Sequence, residues 1–216
     1  MAQCKLLLSD LDGTLIDTHR MIIDCFVHAM QAHLGVTVHP DDFTPVFGQS
    51  IENVFHHLCQ IHSVAPTPEL IETLIAVLRD YQRKVDPSVR AFPHTHAVLA
   101  KLRAAQIKIA VITTVRKPAR RLEFSRLKDQ IDFVVSGEDV KNMKPDPEGL
   151  LKAIAHFGIE PSEAIMMGDT PPDIEAGKNA GVKTIGVTYG QLGQDIVLSH
   201  PDFVIDSIDE ALQILI

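Results

Sequence analysis

Three residues with ionisable or hydroxyl side chains stand where short apolar runs stop. Asp10 follows the run ending at Leu8, Thr113 ends the run Ile107–Ile112, and Asp169 follows the run Ala164–Met167 after a single glycine. Three polar groups from three strands therefore meet on one edge of a sheet. Asp12 and Asp173 add two carboxylates within a turn of Asp10 and Asp169. Four aspartates so gathered repel one another and raise their own pKa values unless a cation is bound. Hard oxygen donors without a neighbouring histidine or cysteine suit Mg²⁺ rather than zinc. Lys144, in the loop Lys144-Pro145-Asp146-Pro147, supplies further positive charge.

The elements that position these residues are legible as patterns. From about residue 92 onward, the runs Ile107–Ile112, Phe133–Val135, Ala164–Met167 and Val182–Val187 alternate with longer amphipathic segments. Short, continuously apolar runs read as parallel strands buried on both faces, and Lys5–Leu8 is the first of them. Asp146-Pro147 opens a helix that Gly158 closes, and Thr170-Pro171 opens one that Gly181 closes. Polar cap, proline, then glycine is the usual order at helix ends. This alternation predicts an α/β fold with a doubly wound, Rossmann-like parallel sheet.

Between residues 18 and 91 the rhythm changes. Three helical patterns, Arg20–Leu34, Ile51–His62 and Pro68–Lys84, are separated by the turn signals His39-Pro40-Asp41-Asp42 and Ala65-Pro66-Thr67-Pro68. The prediction is an α/β core from residues 1–17 and 92–216 with an all-α helical cap inserted at 18–91. An insert after the first strand suits a lid over the carboxyl ends of the strands, where open α/β sheets bind ligands. Opening and closing about Asp17 and Ala91 is the expected motion.

Composition narrows the possibilities. The chain has 216 residues, 45% of them apolar, which supports a real core and excludes a disordered chain. A formal charge of −8 disfavours nucleic acid or an anionic membrane as the main partner. Cys4, Cys25 and Cys59 form no CxxC pair and fit small buried residues in a reducing compartment. The apolar stretch Leu6–Leu8 is too short for a signal peptide, so a cytoplasmic location is expected.

Four segments then fall into a known order. Asp10-Leu11-Asp12-Gly13-Thr14-Leu15-Ile16-Asp17, Val111-Ile112-Thr113, Lys144-Pro145-Asp146-Pro147 and Met167-Gly168-Asp169-Thr170-Pro171-Pro172-Asp173 resemble the four motifs of the haloacid dehalogenase-like superfamily. With its helical insert, the chain is similar to the branch of phosphoglycolate phosphatases and β-phosphoglucomutases. The resemblance implies that Asp10 is a nucleophile forming an aspartyl-phosphate, and that Asp12 protonates the leaving group and then activates water. It implies Mg²⁺ held by Asp10, the backbone carbonyl of Asp12 and Asp169, with Asp173 in support. Thr113 and Lys144 serve the phosphoryl group, and Gly13, Thr14 and Thr114 line the phosphate site. Gly48 and Gln49, with Ser50, form a substrate loop, and Arg20 reaches toward a substrate carboxylate. The expected partner is a small phosphorylated metabolite, and the expected state a monomer or homodimer.

Departures from relatives sort the branch. Asp12 argues for phosphoryl transfer rather than dehalogenation. Phosphonoacetaldehyde hydrolases need a cap lysine, and residues 18–83 contain none. The mutases place a histidine where Ile22 stands and an arginine in the loop that is Phe47–Asn53 here, which has none. Phosphoglycolate is the first-choice substrate, with pyrophosphatase, sugar-phosphate phosphatase or β-phosphoglucomutase activity, or a catalytically silent binding protein, as alternatives. Thr114-Val115-Arg116 replaces the usual residues after Thr113, which bears on specificity. The cap segment His56–His62 lacks HExxH spacing, so its histidines read as solvated helix residues rather than zinc ligands.

Overall fold

The computed structural model describes residues 3–46 and 49–216. The chain divides into two compact units, Met1–Asp17 with Arg90–Ile216, and Thr18–Val89. The first holds β1 (Leu6–Ser9) and β2 (Ile16–Asp17), and the second holds α1 (His19–Leu34), α2 (Ile51–Ile61) and α3 (Pro68–Val85). The first unit resumes with β3 (Arg90–Ala91), α4 (Thr95–Ala104), β4 (Lys108–Ile112), α5 (Ala119–Phe124), β5 (Phe133–Val135) and α6 (Glu148–Phe157). It ends with β6 (Ala164–Gly168), α7 (Pro171–Asn179), β7 (Lys183–Val187), β8 (Phe203–Ile205) and α8 (Ala211–Leu215).

Six parallel strands form one sheet in the order β5-β4-β1-β6-β7-β8. In the register of the central strand, Leu6 lies opposite both Lys108 and Ala164. The strands β4 and β5 extend the sheet to one side of β1 and the others to the opposite side, so the topological switch point, where such sheets open a crevice, lies at β1. Side chains alternate between faces. Leu6, Leu8, Ala110, Ile112 and Met166 pack with Leu150 and Ala153 of α6 and Ala176 of α7. Leu7, Ile109 and Val111 are equally buried on the other side. Burial on both faces explains why these strands read as unbroken apolar runs.

Two pieces of β-structure were not expected. The edge strand β8 is the apolar run Phe203–Ile205, with Val204 exposed. The ribbon β2–β3 pairs only Ile16 with Ala91 and Asp17 with Arg90, too short for any period to show. Because Arg90 and Ala91 belong to this ribbon, the first unit resumes two residues before the expected position 92.

In the second unit, Phe26, Met30, Phe43, Phe55, Leu58 and Leu74 form a separate core. The Phe26 ring lies 4.9 Å from Phe55 and 5.7 Å from Phe43. Hydroxyl caps start α2 and α3: Ser50 accepts from the Asn53 N–H at 3.2 Å and Thr67 from that of Leu70 at 3.3 Å, each satisfying an otherwise orphaned donor. The three cysteines are buried and form no disulfide. Among the described residues no helix is long and apolar enough to cross a membrane.

Candidate active site

Each site residue is delivered by the end of a strand or the start of a helix. The Asp10 N–H donates to the Met167 carbonyl at 2.9 Å, so the ladder continues one residue beyond β1 and fixes the backbone beneath the carboxylate. The Thr113 N–H donates to the Val135 carbonyl at 3.0 Å in the same way beyond β4. Asp169 follows β6 directly. Asp173 lies in the first turn of α7, where its Oδ2 accepts from the Thr170 N–H at 3.0 Å and hydroxyl at 2.6 Å. That is a capping box, and it places a carboxylate at the positive end of a helix.

The loop between β5 and α6 brings in Lys144. Its ammonium donates to Asp10 Oδ1 at 2.6 Å, Asp173 Oδ1 at 2.5 Å and the Ile112 carbonyl at 2.9 Å. An ammonium has three protons, and all three are engaged. One ligand oxygen from each of Asp10, Asp169 and Asp173 lies within 4.8 Å of the others, and all three residues are buried. Burial pushes the Asp10 carboxyl up to about 7; Lys144 opposes the shift, while Asp173 and Asp12 add to it. Asp169 is raised well above the usual carboxylate range, first by burial and then by Asp10 and Asp173. Burial works against the Lys144 charge, but Asp10 and Asp173 outweigh it and lift its pKa above that of an ordinary lysine.

One ammonium therefore leaves a buried carboxylate trio short of positive charge. The donors are all hard oxygens, with no histidine or cysteine among them, and that set fits Mg²⁺. Asp10, Asp169 and Asp173 are the side chains that would hold it.

The match to a family model decides the class. Residues 7–187 match the model of the haloacid dehalogenase-like hydrolases. The chain belongs to that family. Among its relatives, the pyrophosphatase PpaX of Halalkalibacterium halodurans is 34% identical over 96% of this chain and 95% of its own. The pyrophosphatase PpaX of Bacillus cereus strain AH820 is 32% identical over 96% and 94%. The fold is also that of the crystal structure of a predicted phosphoglycolate phosphatase from Haemophilus somnus 129PT, at 22% identity, a TM-score of 0.90 and 99% coverage of both chains.

Within this haloacid dehalogenase-like hydrolase, Asp10, Lys144, Asp169 and Asp173 come together as a contact network, and Thr113 joins them through Ile112. The Thr113 hydroxyl accepts from the Val115 N–H at 3.1 Å and keeps its own proton free to donate. Thr114 is exposed beside it. The Asp12 side chain lies outside the carboxylate trio and pairs with Arg121 of α5.

Gly13 and Thr14 have a different task from the phosphate contacts expected of them. The Gly13 N–H is spent on the Ile16 carbonyl at 2.9 Å, closing the turn after Asp12. The Thr14 hydroxyl, fully buried, donates to Asp169 Oδ1 at 3.0 Å. Gly13 has φ of +88°, and a β-carbon there would lie 2.2 Å from Asp169 Oδ2. Glycine is thus required twice, by conformation and by space.

In the helical unit, Gln49 is exposed and its amide donates to the Pro45 carbonyl at 3.5 Å. The Ser50 hydroxyl accepts the α2 cap bond from the Asn53 N–H. Arg20 is an exposed residue of α1. Gly48, and Phe47 beside it, lie outside the described residues. His57 engages the Asp42 carbonyl at 3.0 Å, and among the described residues the only cluster with metal-ligand spacing is the aspartate trio.

Two contributors were missed by the sequence reading. The segment after β7 closes on the site: the Gln191 N–H donates to Asp169 Oδ2 at 2.9 Å and the Tyr189 hydroxyl to the Thr14 carbonyl at 3.1 Å. A β-carbon at Gly190 would lie 2.2 Å from Asp169 Cβ. The signal was present, since Tyr189-Gly190-Gln191 follows a strand as Asp10, Thr113 and Asp169 do. The other is Arg121.

Proposed function

We propose that this hydrolase is a Mg²⁺-dependent phosphatase that cleaves a small phosphorylated metabolite through an aspartyl-phosphate. The observation that carries the reading is the buried contact of Lys144 with both Asp10 and Asp173, beside Asp169. Asp10 attacks phosphorus, and the bond from phosphorus to the leaving oxygen breaks as Asp12 hands that oxygen a proton. Asp12, now ionised, takes a proton from water, whose oxygen attacks the acyl-phosphate and returns Asp10 and free phosphate. Lys144 and the Thr113 hydroxyl stabilise charge on the phosphoryl oxygens. Mg²⁺ held by the trio supplies Lewis-acid polarisation and the positive charge the cluster lacks.

The substrate reading has two branches. The motif pattern and cap favour phosphoglycolate, and the named activity of the relatives at 32% and 34% identity favours pyrophosphate. Phosphate release from phosphoglycolate, pyrophosphate, sugar phosphates and nucleotides, with Mg²⁺ or chelator, tests both. Turnover that requires Mg²⁺ and disappears in Asp10→Asn supports the mechanism, and the substrate ranking chooses the branch. A folded, Mg²⁺-binding protein without turnover on any of them would overturn the phosphatase reading.

A further inference from the structure

We infer that Arg121 is a positioning residue that holds the Asp12 carboxylate beside the nucleophile, an inference that rests on the roles proposed for Asp10 and Asp12. Arg121 is 5% exposed, and among the described residues it is the single lysine or arginine buried as a whole residue. Its neighbour Arg120 is exposed. A buried guanidinium costs several kcal/mol unless it is paired. Its Nη1 meets Asp12 Oδ1 in an ion pair between side chains 6% and 11% exposed.

The state of Asp12 gives this pair its meaning. Asp10, Asp169 and Asp173 each accept hydrogen bonds from other groups, whereas Asp12 Oδ1 meets Arg121 and Oδ2 has no hydrogen-bond partner among the described residues. The guanidinium thus balances the Asp12 charge at Oδ1 and leaves Oδ2 to exchange a proton. Asp12 also lies close enough to Asp10 for the two carboxylates to repel. Without a cation on its far side, Asp12 would swing away from the nucleophile. Arg121 is well placed to prevent this because its helix is anchored. The Ser125 N–H donates to the Arg121 carbonyl at 2.9 Å, and Leu122 and Leu127 are buried. The same helix follows the strand that ends at Thr113, so one segment carries a phosphoryl-site hydroxyl and the brace for the proton donor.

Leaving-group chemistry tests this on the full chain with Mg²⁺. An alkyl phosphate needs a proton from Asp12 in the first step, whereas 4-nitrophenolate leaves without one; both need Asp12 to activate water in the second. Arg121→Gln is expected to lower kcat on glycerol phosphate by about ten-fold or more with little change in KM. With 4-nitrophenyl phosphate the same variant should keep its burst of nitrophenolate and lose about ten-fold in steady-state rate. Placed on Asp12→Asn, Arg121→Gln should cost less than about two-fold more, because residues acting as a unit are non-additive. Should Arg121→Gln fail to fold, the apolar Arg121→Met fills the same space for the same measurements. A raised KM with unchanged kcat, a lost burst, or an equal loss on the Asp12→Asn background would overturn the inference while wild-type turnover stands. Wild type without turnover would overturn it together with the phosphatase reading.

Discussion

Lys144 and Asp173 meet at 2.5 Å between side chains that are 6% and 1% exposed, while Asp173 also caps α7 through its other oxygen. A carboxylate used on both sides ties the lysine loop to the helix that follows β6. Asp173→Asn keeps the shape and the cap acceptor but removes the charge. Breaking a buried pair costs about 3–5 kcal/mol where the remaining charge is left alone, and less here because Lys144 keeps Asp10. Urea unfolding should show that loss, and kcat should fall with it. A variant as stable as wild type would mean that Lys144 is held by Asp10 and Ile112 alone.

The two glycines beside Asp169 separate conformation from space. Gly13→Ala meets both a left-handed backbone and a carboxylate oxygen 2.2 Å away. In Gly190→Ala the added carbon meets Asp169 Cβ at 2.2 Å and the Gly13 carbonyl at 2.6 Å. Both should displace Asp169 and weaken Mg²⁺ binding, measured by calorimetry. Gly13→Ala should be less stable than Gly190→Ala by about 1 kcal/mol, the usual strain of such a backbone. Unchanged Mg²⁺ affinity in both would show that Asp169 does not set it.

Metal binding should be visible in stability alone. A ligand at 100 times its Kd that binds only the folded state adds about 2.7 kcal/mol. Urea midpoints with Mg²⁺ and with chelator should differ accordingly in wild type and coincide in Asp169→Asn. A Mg²⁺ increment that survives in Asp169→Asn would place the ion elsewhere.

Acid should loosen the loop that carries Lys144 before it melts the sheet. Glu148 accepts from the Lys141 and Asn142 amides and from Lys152, and its carboxyl is held down to about 2, first by Lys152 and then by those amides. Asp139 accepts from the Ser136 amide and hydroxyl, which hold it below the usual range. Both groups have lower pKa values folded than unfolded. Their stabilisation is therefore present above about pH 4 and lost as pH falls toward the folded values. NMR amide shifts of Ser136, Lys141 and Asn142 should move between about pH 4 and 2, and Glu148→Gln should abolish the response at Lys141 and Asn142. Flat shifts across that range would contradict the assignment.

How much of this was legible follows from where each signal lives. Leu6–Leu8 and Ile109–Ile112 announced strands because burial on both faces leaves no polar alternation to read. That Asp10, Thr113 and Asp169 gather at one edge of the sheet was legible because they follow such runs. The Thr14 contact with Asp169 was not legible, because the two are 155 residues apart and no local pattern reports so distant a hydrogen bond. Arg121 was invisible for a related reason: a charge on the inward side of a six-residue helix has meaning only once Asp12 is seen opposite it. The Ser50 cap was not legible from the loop alone, because it depends on where α2 begins.

Lys144 has no spare proton. Its three donors already serve the ends of two strands and the head of a helix. An arriving anion can therefore recruit this lysine only by displacing one of those acceptors, an exchange rather than an addition. Such a swap gains little while Asp10 is a free carboxylate. In the proposed reaction it becomes favourable once Asp10 has given its negative charge to a new bond, and there this lysine discriminates by stage of reaction rather than by simple attraction.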